Sequence, residues 1–151
     1  MPGKASSLVS KAKKWASYYG RFPNGEEGAV LSVPLRVRAA WENNDADALA
    51  DVFTENGSLL MGDEQLRGRE EIRSYMAKAF SGEYRGVRVV EEPIEIKFLS
   101  GDVAMAISEG GTLAPGETEP APEREMRTTW VIVKQNGEWR LLSHQGSPVK
   151  G

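Results

Sequence analysis

Apolar residues recur along this chain with two different periods, and the change of period divides it. In the first half they return every three or four residues, the helical spacing. Leu8, Ala12, Trp15 and Tyr19 form one stripe, and Val30, Val33, Val37, Ala40 and Trp41 a second. Leu49, Val52 and Phe53 form a third, and Ile72, Met76 and Phe80, flanked by Tyr75 and Ala79, a fourth. In the second half apolar and polar residues alternate, as on a strand whose side chains point to opposite faces in turn. Ile94, Ile96 and Phe98 alternate with Glu95 and Lys97. Val103, Met105, Ile107 and Glu109 share one face, and Ala104, Ala106 and Ser108 the other. Met126, Thr128, Trp130 and Ile132 then face one way, and Arg127, Thr129, Val131 and Val133 the opposite way. A strand with two apolar faces belongs in a sheet covered on both sides, by the chain's own helices or by a second subunit.

Turn residues punctuate this pattern. Gly20 to Gly25 (GRFPNG) ends a first amphipathic helix over residues 5–19. A second runs over 26–43, with Pro34 kinking it or marking its true start. Asp45 is placed to cap a short helix over 46–53, and 54–57 reads as a turn. A short strand over 58–62 and a piece around Leu66 precede a helix over 69–80. A long strand over 85–99 is interrupted by a bulge or bend at Pro93. Asn136-Gly137 marks a tight hairpin, because both central residues of a type I′ turn need positive φ. Residues 114–123, APGETEPAPE, offer little to bury and read as a mobile loop between strands. Helices, a short strand, one helix and four long antiparallel strands make an α+β domain, with helices segregated on one face of a curved sheet.

Composition narrows the chemistry. At 151 residues the chain suits one domain with a real core. It has no cysteine, which removes thiolate catalysis and cysteine–zinc sites, and one histidine, which removes a histidine-rich metal site within one chain. No apolar run approaches a membrane span, and the basic start lacks the apolar core of a secretory signal, so a cytoplasmic protein is expected. The net charge of −3 conceals an asymmetry: Met1 to Arg21 holds five basic residues and no acid. We therefore divide the chain into a basic amphipathic helix and linker over 1–24 and a folded domain over 25–151. The acidic domain would repel phosphates, so no nucleic-acid partner is expected.

Several local motifs, taken in order, resemble a known family. Trp41-Glu-Asn-Asn-Asp45, Leu49, Phe53, Gly57, Gly68-Arg-Glu-Glu-Ile72, Trp139-Arg-Leu141 and His144-Gln-Gly-Ser-Pro148 look like the SnoaL-like branch of the nuclear-transport-factor-two-like superfamily. Within it the likeness is to the SgcJ/EcaC group, whose members include small proteins encoded with enediyne polyketide pathways. The resemblance implies a cone-shaped, cystatin-like α+β barrel, in which helices on the concave face of a bent antiparallel sheet leave a pocket. It also implies homodimers through the outer face of the sheet. It would make the chain an accessory protein of polyketide biosynthesis, with a polyketide synthase as a possible partner.

The residues themselves suggest where such a pocket would be. Trp41, Met61, Tyr75, Met105, Met126 and Trp130 are the expected lining, apolar and, through the methionines, adaptable to a hydrophobic small molecule. Glu109, at the end of the apolar row Val103, Met105 and Ile107, would be partly desolvated there and poised as a base; at the sheet edge it would simply sit in water. His144 is either an acid–base group or a hydrogen-bonded structural histidine. No dinucleotide fingerprint and no metal-ligand set is present, so neither a cofactor nor a metal is expected. The competing reading is a non-catalytic association module, whose sheet dimerises and whose basic helix docks a partner.

Overall fold

A computed structural model describes residues 27–149. The helix expected over 5–19, and with it the division of the chain at residue 24, lies outside the described residues. Three helices, α1 (Glu27–Glu42), α2 (Ala46–Val52) and α3 (Arg69–Ser81), pack on a six-stranded sheet. Its strands are β1 (Phe53–Met61), β2 (Glu64–Arg67), β3 (Arg88–Ser100), β4 (Val103–Leu113), β5 (Glu125–Gln135) and β6 (Glu138–Pro148). Their spatial order is β2-β1-β6-β5-β4-β3. β3 to β6 form an antiparallel meander, as the alternation predicts, and β1 joins β6 in parallel. The result is a curved α+β sheet with its helices on the concave side.

Local chemistry explains most of the boundaries. The Asp45 carboxylate accepts from the Ala48 amide at 3.0 Å, the expected cap of α2, worth about 1 kcal/mol. Asn136 and Gly137 have φ of 50° and 80°, as the β5–β6 hairpin requires. The β3–β4 register shifts between Pro93 and Glu95, where the bulge was expected. Pro34 sits inside α1 and neither starts nor ends it.

One stretch differs from expectation. Phe53 opens β1 and does not close a helix, and residues 54–57 lie within that strand. The register against β6 slips between Phe53 and Ser58, so the residues expected to turn form a bulge. Thr54 Oγ1 donates to Asn56 Oδ1 at 2.9 Å within it. A Cβ at Gly57 would lie 2.9 Å from the Phe53 ring, a contact that glycine avoids. Pairing with β6 and burial of Phe53 outweigh the turn preference of Glu-Asn-Gly.

The core lies between the helices and the inner face of the sheet. Val30, Val33 and Val37 of α1, Leu49 of α2, and Ile72, Met76 and Phe80 of α3 meet Ala104, Ala106, Trp130, Ile132 and Leu141. Each fully buried large side chain contributes about 1.5–3 kcal/mol relative to exposure. On the opposite face of the same strands, Val103 pairs with Val133, and Met105 with Val131; all four are half-buried.

The acidic loop is tied down. Glu117 pairs with Arg124 and accepts from the Ala114 amide at 2.7 Å, and Arg88 donates to the Glu117 carbonyl at 2.7 Å. The pairing with Arg124 holds the Glu117 carboxyl below its ordinary pKa. A Cβ at Gly111 would lie 2.4 Å from the Arg124 carbonyl oxygen, so glycine there lets the loop settle against β4. Composition pointed to a mobile loop because it counts apolar burial and misses these polar ties.

Candidate functional site

The helices do not fill the concave face. A cavity of about 310 Å³ remains between α1, α2 and the inner faces of β1 and β3 to β6, and it opens beside the tied loop. Its size falls at the small end of ligand pockets.

Apolar and aromatic groups make most of the wall. Trp41, Met61, Met126, Trp130 and His144, five of the expected site residues, all line it, with Val37, Leu49, Phe53 and Leu59 beside them. Trp41 is held edge-on by Phe80 and Tyr84, with ring centroids 5.0 and 5.6 Å away. Three expected residues do not line it. Tyr75 borders an open surface groove with Lys78, Ala79 and Glu83. Met105 and Glu109 lie on the outer face, where Glu109 pairs with Arg127 at 2.7 Å. The apolar row Val103, Met105, Ile107 is real, but it faces away from the helices. Which of two apolar rows turns inward is decided by the pairing of the whole sheet.

Two acids line the cavity, Glu123 at its border and Glu91, on the edge strand β3. The Glu91 carboxyl Oε2 accepts from Ser108 Oγ at 2.7 Å, and Ser108 Oγ accepts from Trp130 Nε1 at 2.9 Å. An indole N–H can only donate, so the serine proton is directed to Glu91. Desolvation pushes the Glu91 carboxyl up to about 7, against the opposing influences of the Ser108 hydrogen bond and the Arg38 charge. A carboxyl balanced between its two forms near neutral pH can both take and return a proton. The sequence signal for it was weak: Glu91 and Glu92 stand together in a strand, and periodicity there is disturbed by Pro93.

Two further polar groups face the same space. His144 pairs with Trp130 in the β5–β6 ladder, and its ring meets the indole edge-on at 4.5 Å. Burial pushes its imidazole down to about 4, so it is neutral at pH 7, and its Nδ1 has no hydrogen-bond partner among the described residues. Arg38 of α1 is 7% exposed and its Nε likewise lacks a partner among them. Desolvation lowers its pKa, with Glu42 and Glu91 opposing. Across the inner face the row therefore reads Glu91, Ser108, Trp130, His144, Leu59, one residue from each of five strands, with Arg38 opposite on α1.

Among the described residues no group of histidine, aspartate and glutamate could hold a metal ion, and no helix is long and apolar enough to cross a membrane. No curated protein matches the chain. Solved structures share its fold at low identity. A cystatin-like domain of unknown function from Nostoc punctiforme is 21% identical, with a TM-score of 0.75 over 84% of this chain and 79% of that one. A nuclear-transport-factor-two-like protein from Novosphingobium aromaticivorans is 15% identical, with a TM-score of 0.71 over 100% and 93%. A Thiobacillus denitrificans protein named for the association domain of calcium/calmodulin-dependent protein kinase type II is 20% identical, with a TM-score of 0.67 over 85% and 97%. The curved sheet, its helices and the pocket they leave are accounted for by the family whose model matches residues 30–150: the chain belongs to the SnoaL-like domain family.

Proposed function

We propose that this protein binds a small, largely apolar carbonyl compound in the cavity and moves a proton on it, as in an isomerisation or a cyclisation. The observation that supports this most is Glu91, an acid in the wall of a largely apolar cavity, positioned by the Ser108–Trp130 hydrogen-bond chain and pushed up to about 7 by desolvation. As carboxylate, Glu91 takes a proton from the carbon next to the carbonyl. The electron pair moves onto the carbonyl oxygen to give an enolate; where that enolate is conjugated with a carbon–carbon double bond, Glu91 returns the proton at the far carbon, and otherwise the enolate carbon adds to another carbonyl and Glu91 returns the proton to the alkoxide formed. The Ser108–Trp130 chain fixes which carboxyl oxygen faces the ligand. His144, neutral and buried, offers a hydrogen bond at the other side of Trp130.

Polyketide biosynthesis suits this chemistry, since its intermediates carry repeated carbonyls, and the likeness of the Trp41–Asp45 and His144–Pro148 motifs to enediyne-associated proteins supports that setting. A homodimer through the outer sheet face is part of the same reading, supported by the exposed edges of Val103, Met105, Val131 and Val133.

The test uses 1-phenylpropan-2-one in deuterium oxide, with loss of the benzylic CH₂ signal followed by NMR. The protein should accelerate exchange, and Glu91→Gln should reduce the acceleration by roughly 10²–10⁴-fold, the usual contribution of a positioned base. Binding without any exchange would replace the enzyme with a carrier. No binding at all would leave the association module, which the half-exposed apolar outer face favours.

A further inference from the structure

A guanidinium carries five N–H donors and stays charged, so burying one beside an apolar cavity with an unpartnered nitrogen is costly unless something else meets it. Arg38 is in this position. It projects from α1 into the cavity wall between Val37 and Trp41, with its Nε unsatisfied among the described residues. The acid across from it does not supply the missing bond: Glu91 acts on Arg38 only through space, while its Oε2 is engaged by Ser108. Arg88 adds a repulsive positive charge. No described residue therefore offers an acceptor to Arg38 Nε, and the cavity that Arg38 lines lies beside it.

We propose that Arg38 is the anchor for a carboxylate on the ligand, so that the natural substrate is a compact apolar acid bound with its carboxylate at Arg38 and its enolisable carbon towards Glu91. This rests on the reading of the cavity as a small-molecule site and narrows its substrate class. Charge argues for a monoanion. Two acids, Glu91 within the cavity and Glu123 at its border, line it with Arg38 and Arg124, and Arg124 is already engaged by Glu117, so a phosphate dianion would meet two acids against one cation outside an ion pair. A planar carboxylate also matches the fork of the guanidinium, which the orphaned Nε helps to form. Trp41 and Trp130 would flank the apolar body.

The experiment compares 3-phenylpropanoate with its neutral amide, 3-phenylpropanamide, by quenching of tryptophan fluorescence at pH 7 and low salt. The acid should bind at least tenfold more tightly to the wild-type protein. Arg38→Gln should bring the two to near equality with amide binding kept, Arg38→Lys should retain part of the preference, and Glu91→Gln should keep it. Equal binding of acid and amide to the wild type would overturn the anion subsite and leave the apolar cavity standing, a comparison that needs no variant to fold. A preference that survives in Arg38→Gln would assign it to another cation, such as Arg124 at the border, and overturn the proposal. Binding of neither compound would overturn both this inference and the small-molecule reading beneath it.

Discussion

The two faces of β4 and β5 make an instructive pair. They are built from alternate residues of the same two strands, and both look apolar in the sequence. The outer face carries Val103, Met105, Ile107, Val131 and Val133, large aliphatic groups that are only half-buried. The inner face carries Ala104, Ala106, Ser108, Thr128, Trp130 and Ile132, all buried. The less hydrophobic row is thus the better buried one, and its Thr128 and Trp130 line the cavity. The indole of Trp130 and the hydroxyl of Ser108 are tolerated in the interior because the indole donates to Ser108 and Ser108 donates to Glu91. Hydrophobicity alone points to a covered surface. A buried polar chain set among small residues points to a site.

The comparison breaks most sharply at the two acids. Glu91→Gln should abolish most proton exchange, by roughly 10²–10⁴-fold, whereas Glu109→Gln, which removes only a surface pair with Arg127, should change it by less than about twofold. Equal losses would mean that the outer face carries chemistry.

Stability against pH should show the next largest effect. The Glu91 carboxyl has its pKa raised from 4.5 to about 7, so its contribution is fully present below 4.5 and is lost as pH rises through 7. Of the groups beside it, Arg38 from α1 keeps its charge through that window and His144, lowered to about 4, is neutral. Glu91→Gln should therefore gain on the wild type between pH 5 and 8 in urea denaturation, by an amount on the order of 3 kcal/mol. His144 acts in the opposite direction. Its folded pKa lies below the ordinary 6.5, so its contribution is present above 6.5 and lost as pH falls through 4, and His144→Asn should flatten the acid side of the profile. A wild-type profile that Glu91→Gln leaves unchanged in shape would show that Glu91 is not desolvated.

Ser108→Ala removes the acceptor of the Trp130 indole and should cost about 1–3 kcal/mol, while Met105→Ala on the half-buried outer face should cost less, both read from urea midpoints. The reverse order would mean that the outer face is a true interior, closed by a partner. The smallest effect on the fold itself is expected from Val131→Arg. It should leave the melting temperature of the domain nearly unchanged and halve the mass measured by light scattering. A wild-type protein already monomeric at micromolar concentration would end the dimer proposal.

Much of this molecule was legible in one dimension. Helical stripes and strand alternation are local consequences of 3.6- and 2-residue periods, and caps and tight turns are local chemistry. Asp45, Pro93 and Asn136-Gly137 therefore appear where their side chains and φ angles demand. Of the aromatics expected from the same stripes, Trp41 and Trp130 line the cavity and Tyr75 does not. Tertiary structure decided the rest. The parallel pairing of β1 with β6 joins residues some ninety positions apart and turns an expected loop into a bulged strand. The inward face of β4 is set by its register against β5, which leaves Glu109 on the outer face, while Glu91 of β3 lies in the cavity wall. The polar site is made of one residue from each of several strands plus Arg38. Spacing along the chain carries no trace of that arrangement, because hydrogen bonds across a sheet connect neighbours in space and not in sequence.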